Sequence, residues 1–276
     1  MEVVTHPAAA GVTEHRYTLT RALDETVYGS RHLVLSSEHH TSHLLHRLDR
    51  VFPAKPGARE RFERVMVLLQ RADHPHILRV EEFGWDAELG PFTISDYTGD
   101  ADGIVTLDRL LTLKGGSLTL EETKRVLEQL MGACAAAHTA GAGGTGVYHG
   151  ALTMSQVHVD RRGSLLIELY GLNQELVPTR TAAGDEVRSI AAIGYQLATA
   201  LLPLRPLIPV EHMIDPVDQT WRDYFLTGLA EGGAGFSTAA HALAAVQGLR
   251  IAGAGGIGEM RSSLRDLIRS MLTPVR

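Results

Sequence analysis

The stretch Tyr148-His149-Gly150-Ala151-Leu152-Thr153-Met154-Ser155-Gln156-Val157-His158-Val159 constrains this chain more than any other. It places a histidine three residues before a leucine, then a short polar turn, then an apolar strand. It contains no carboxylate, lysine or arginine. A methyl group at Ala151 cannot accept a proton or orient a hydroxyl, so general acid–base chemistry has no carboxylate here.

The elements around this stretch fall into an order. Phe62 to Ala72 reads as an amphipathic helix, followed by His74-Pro75-His76-Ile77-Leu78 and a strand to Gly84. Pro91 to Tyr97 reads as a further strand, Thr106 to Leu111 as a short helix and Leu120 to Thr139 as a long one. Gly163 to Gly171 reads as a hairpin, and Glu186 to Thr199 as a buried helix. Thr220 to Leu229 and Phe236 to Gln247 close the series, after a Pro-broken connection over Leu204 to Pro209.

These segments, in this order and spacing, resemble the Hanks-type Ser/Thr protein kinases over residues 17–248. The catalytic loop H-R-D-L-x-x-x-N is matched by His149 and Leu152, and HPHIL resembles the passage from helix C to the fourth strand. The resemblance implies an α+β, two-lobed fold. A small antiparallel β lobe with helix C is expected over 17–98, and a larger, mainly helical lobe over 99–248. Residues 1–16 are expected to be a flexible N-terminus, and 249–276 a Gly-rich linker with a C-terminal amphipathic helix.

The same resemblance shows what has been lost. The catalytic aspartate position is Ala151, the lysine two residues on is Thr153, and the metal-binding asparagine is Gln156. The glycine loop reads Leu23 to Gly29, where only Gly29 remains and Asp24 and Thr26 stand at the other glycine positions. The third-strand lysine falls at His46, or at Arg47 with a shift of one residue. The helix-C glutamate falls at Val65, and D-F-G reads Leu169-Tyr170-Gly171. Leucine cannot hold magnesium, which takes oxygen ligands. Phosphoryl transfer is mostly positioning and stabilisation of developing negative charge, and those groups are absent. The expectation is a pseudokinase with no phosphotransfer and no nucleotide or other cofactor, acting as a scaffold or allosteric module in bacterial signalling. Its partner would be a protein, for instance an active kinase or a signalling complex. The alternatives are a kinase-fold enzyme with rewired chemistry, using Glu168, Asp160 or Asp24, and a structural subunit of a larger assembly.

Composition adds exclusions. A net charge of −6 and the lack of a basic run argue against nucleic acid. The single cysteine, Cys134, excludes an intrachain disulfide and is expected as a small buried apolar group. Met1 to Arg16 is polar and no apolar run reaches spanning length, which suggests a cytoplasmic protein. The runs GAGGTG (141–146) and GAGGIG (253–258) read as linkers rather than phosphate cradles, because the first follows a helix. His39, His40, His43 and His46 cluster without a matching ligand set, so no metal is expected. Val65, Met66 and Leu69 on helix C are expected to form a partner surface. Met260, Leu264, Leu267 and Met271, at spacings of three and four, form the apolar face of the C-terminal helix. That helix would pack on the lobe, pair with a partner or a second copy, or dock on a membrane surface.

Overall fold

The computed structural model describes residues 16–86, 89–140, 146–150, 152–176, 183–231 and 234–251. Contacts divide it into two units: one runs to Gln70 and adds Arg79–Thr98, and the other holds Arg71–Leu78 and everything from Gly99.

The first unit is a five-stranded antiparallel sheet with one helix. The strands are β1 (Tyr17–Glu25), β2 (Ser30–Ser36), β3 (Ser42–Arg47), β4 (Val80–Asp86) and β5 (Gly90–Asp96), in the order β1-β2-β3-β5-β4. Val34, Leu45, Phe92 and Ile94 form a buried cluster on the sheet. Strand β3 lies between β2 and β5, so His46 faces Arg31 on one side and Thr93 on the other. Helix α1 (Ala58–Leu69) buries Phe62, Val65, Met66 and Leu69. Their spacing of i, i+3, i+4 and i+7 gives one apolar face. Phe62 anchors it, with ring centroids 5.4 Å from Phe52, 5.9 Å from Phe83 and 5.8 Å from Trp85.

The second unit is mainly helical: α2 (Leu107–Leu113), α3 (Leu120–Thr139), α4 (Leu172–Leu176), α5 (Ala183–Thr199), α6 (Gln219–Gly228) and α7 (Ala239–Gln247). Between α3 and α4 lie a 3₁₀ turn, Met154–Gln156, and the two-stranded hairpin β6 (Val157–Val159) and β7 (Leu165–Ile167). The connector before β4 joins this hairpin: Leu78 N–H donates to the Ile167 carbonyl and Ile167 N–H to the His76 carbonyl, each at 2.9 Å.

Local chemistry sets the helix boundaries. Helix α3 begins where Thr119 and Glu122 form a reciprocal capping box. Thr106 takes the N-cap of α2, so that helix starts at Leu107. The last helix, expected from Phe236, starts at Ala239 because the Thr238 hydroxyl caps it, accepting from His241 N–H at 3.1 Å. Helices α3 and α5 pack closely at Gly194, where a Cβ would lie 2.6 Å from a Leu127 methyl. Around them Leu130, Met131, Ile190, Leu197, Trp221 and Phe225 form the core. Among the described residues no helix is long and apolar enough to cross a membrane.

Candidate functional site

In the first unit the structure brings Asp24, Thr26, Gly29 and His46 together at one end of the sheet. The turn between β1 and β2 is closed around the Thr26 hydroxyl. Its Oγ1 accepts from Tyr28 N–H at 3.1 Å and Gly29 N–H at 3.2 Å, and it also lies 3.1 Å from the Gly29 carbonyl. The fourth neighbour is His46 Nε2, at 2.9 Å. His46 is buried, with Tyr28 tilted against its ring. Two arginines reinforce the turn. Arg50 donates to the Thr26 carbonyl at 2.6 Å and to Glu25 at 2.7 Å, and Arg31, buried on β2, pairs with Asp24 at 3.0 Å. Gly29 is required here: its φ is +151°, and a Cβ would meet the Arg47 carbonyl oxygen at 2.1 Å. Two backbone N–H groups that a glycine loop would leave free for an anion are thus bonded to a threonine.

Helix α1 corrects one expectation. Val65, Met66 and Leu69 are at most 5% exposed, so they do not form a free surface. Val65 lies on the same apolar face as Phe62, and among the large apolar side chains of the helix Val67 is the exposed one. The period of the helix predicted the apolar stripe, but the side chains are used for packing. Met260, Leu264, Leu267 and Met271 lie outside the described residues. The exposed large apolar side chains of the second unit are Leu113 on α2, Leu201, Leu202, Leu204 and Ile208 in the segment after α5, and Leu226 on α6; Pro203 and Leu207 of that segment line one pocket with Leu226 and Leu229.

In the second unit Ala151 lies outside the described residues. Gln156 turns back on its own loop, where its Oε1 accepts from Thr153 N–H and Thr153 Oγ1, both at 2.9 Å. Leu169 is buried with φ of +51°, a conformation that L residues seldom adopt. The three acids open to a rewired chemistry are each engaged. Asp24 faces Arg31. Asp160 accepts from Arg162 N–H and Ser164 N–H at 2.8 Å. Glu168 is buried, 3.6 Å from His158 Nε2 across the hairpin. Of the histidine run, His39 and His40 lie at the β2–β3 turn, and His43 bonds Glu81 through Nδ1 at 3.0 Å.

The sequence reading missed the centre of this unit, Glu186 at the start of α5. This buried carboxylate accepts from His149 N–H at 3.0 Å and from the Tyr170 hydroxyl. His138 Nε2, on α3, lies 3.1 Å from the same Oε2 and 3.4 Å from Cys134 Sγ. The rings of His149 and Tyr170 meet edge to face at 5.6 Å. Burial, with Glu186 beside them, pushes the Cys134 thiol and the Tyr170 phenol well above their usual ranges. Burial also lowers the pKa of His149. The pattern Cys-x-x-x-His over 134–138 was visible in the sequence. Its partner on α5 was not, because that pairing is set by how two helices pack.

No protein-family model matches the chain. Among solved structures, the kinase domain of Mycobacterium tuberculosis PknI superimposes with a TM-score of 0.69 over 88% of this chain and 99% of that domain, at 19% identity. A double mutant of that domain gives a TM-score of 0.70 with the same coverage and identity. The fold is therefore a two-lobed, α+β protein-kinase-like fold. A curated relative, CBL-interacting protein kinase 21 of Oryza sativa subsp. japonica, is 25% identical over 170 residues, 61% of this chain. The match spans only 30% of that protein's length.

Proposed function

We propose that this chain is a catalytically inactive kinase-like protein, a pseudokinase, that works as a protein-binding module in signalling. The observation that carries the reading is the closed β1–β2 turn. The Thr26 hydroxyl holds the Tyr28 and Gly29 amides and reaches His46, which the resemblance puts, with Arg47 as the alternative, at the lysine position. A nucleotide phosphate would have to break these bonds and would meet Asp24 and Glu25 nearby. In the second unit, the resemblance puts Leu169 and Gln156 at the magnesium-ligand positions, and Gln156 is bonded to Thr153. Asp24, Asp160 and Glu168 already have partners, which weakens the reading of an enzyme with re-sited acids. The relatives are named as kinases, and the proposal departs from them at these residues.

The partner is a protein, either an active kinase or another signalling component, and the exposed leucines near α6 are the surface offered to it. The support is that the segment after α5 and helix α6 share a pocket lined by Pro203, Leu207, Leu226 and Leu229, and apolar side chains exposed around such a hollow mark contact sites more often than scattered ones do. A cytoplasmic, bacterial setting belongs to the same proposal, on the strength of the single cysteine and the kinase style of the sequence.

The test is a thermal-shift titration with ATP, with and without magnesium. A ligand that binds the folded state raises the melting temperature by mass action. No shift at millimolar nucleotide is expected, together with no phosphate transfer to the chain or to a generic protein substrate. A magnesium-dependent shift, or transfer that Gln156→Ala abolishes, would overturn the reading.

A further inference from the structure

The cluster under Glu186 has a composition that the kinase-like function does not use. Cys134 and His138 stand four residues apart on α3, so both side chains lie on one side of the helix. Glu186 comes from α5. One sulfur, one imidazole nitrogen and one carboxylate oxygen from these residues all lie within 4.8 Å of one another. The separations are 3.4 Å from Cys134 Sγ to His138 Nε2 and 3.1 Å from that nitrogen to Glu186 Oε2. Ligands bound tetrahedrally at roughly 2.0–2.3 Å sit about 3.3–3.6 Å apart, so small shifts let one ion touch all three.

We propose that Cys134, His138 and Glu186 form a binding site for a borderline transition-metal cation, zinc in particular. The donor set selects the class. Thiolate and imidazole suit zinc and its neighbours, and disfavour magnesium and calcium, which take oxygen. Charge balance favours the same class: a dication with one thiolate, one carboxylate and a neutral imidazole is neutral overall, which lowers the cost of burying it. On binding, the thiol proton leaves to solvent and the sulfur bonds the metal.

Two further contacts hold the ligands in place. Glu186 accepts from His149 N–H at 3.0 Å and from the Tyr170 hydroxyl, which fixes the carboxylate. The Tyr148 ring lies 4.5 Å from that of His138 and limits its rotation. His138 is the least buried ligand, with 9% of its side chain exposed, against 1% for Glu186. It therefore marks the entry side. A fourth position is left for water or the Tyr170 oxygen. Bound there, the metal would staple α3 to α5 and hold the His149 loop.

The experiment uses the full chain, stripped with chelator and titrated with cobalt(II). Cys134 is the single cysteine, so a thiolate-to-cobalt charge-transfer band can come from this site alone, whatever the surface histidines bind. The expected result is a band that saturates at one equivalent, disappears on adding zinc, and is absent from Cys134→Ser. Glu186→Gln should weaken cobalt binding at least tenfold. Circular dichroism checks that each variant is folded. If the wild-type chain gives no band, or a band that is not displaced by zinc, the proposal fails. If the serine variant does not fold, the wild-type titration decides alone, because only sulfur coordination produces the band.

Discussion

Thr26 Oγ1 lies 2.9 Å from His46 Nε2, so the turn between β1 and β2 is tied to strand β3. Thr26→Val keeps the shape and removes the hydroxyl. Two backbone N–H groups and a buried imidazole then lose a partner, which should cost about 1–3 kcal/mol in urea unfolding. A loss below about 0.5 kcal/mol would mean that the turn is held by Arg50 and Gly29 instead. His46→Lys should not restore a magnesium-ATP thermal shift, because no free acid is added and the new ammonium would be buried.

Met66 is fully buried on α1. Met66→Ala should cost about 2–5 kcal/mol, with Val67→Ala near zero because Val67 is exposed. Equilibrium denaturation of both variants checks this. Similar small effects at the two positions would return the helix to the role of a partner surface.

Glu122 carries a pH signature. Burial raises its pKa, but the Lys114 ammonium at 2.8 Å and the Thr119 cap outweigh that, and the net direction is down. A carboxylate with a depressed folded-state pKa adds stability at neutral pH and loses it as pH falls through that lowered value. Glu122→Gln should therefore be less stable than wild type by about 1–2 kcal/mol at pH 7. The gap should close as pH drops below the ordinary glutamate value of 4.5. Melting curves from pH 7 to pH 3 test it, and a gap independent of pH would remove the ion pair from the account.

Gly194→Ala sets two effects against each other. Alanine favours the helix by about 1 kcal/mol, while the added methyl meets Leu127 at 2.6 Å. Overpacking costs about 1–3 kcal/mol, so a net loss of about 1 kcal/mol is expected. A more stable variant would show that α3 and α5 can part at no cost.

The sequence by itself determined the class of fold. Apolar spacing placed α1, α3 and α5, and the order of strand and helix signals, with His149 and Leu152 in the loop, resembled a kinase-like plan. It also determined what the loop around His149 lacks, because missing functional groups are read directly from residue identity. Tertiary structure decided what the side chains singled out in the sequence touch. Period alone could not tell whether Val65, Met66 and Leu69 face solvent or a core, since an apolar stripe serves either. Nor could it bring Cys134, His138 and Glu186 together, because Glu186 is 48 residues from His138 and meets it only where two helices pack. The Thr26–His46 contact likewise depends on β3 lying beside β2 in register, which hydrogen bonds across the sheet fix and local sequence does not.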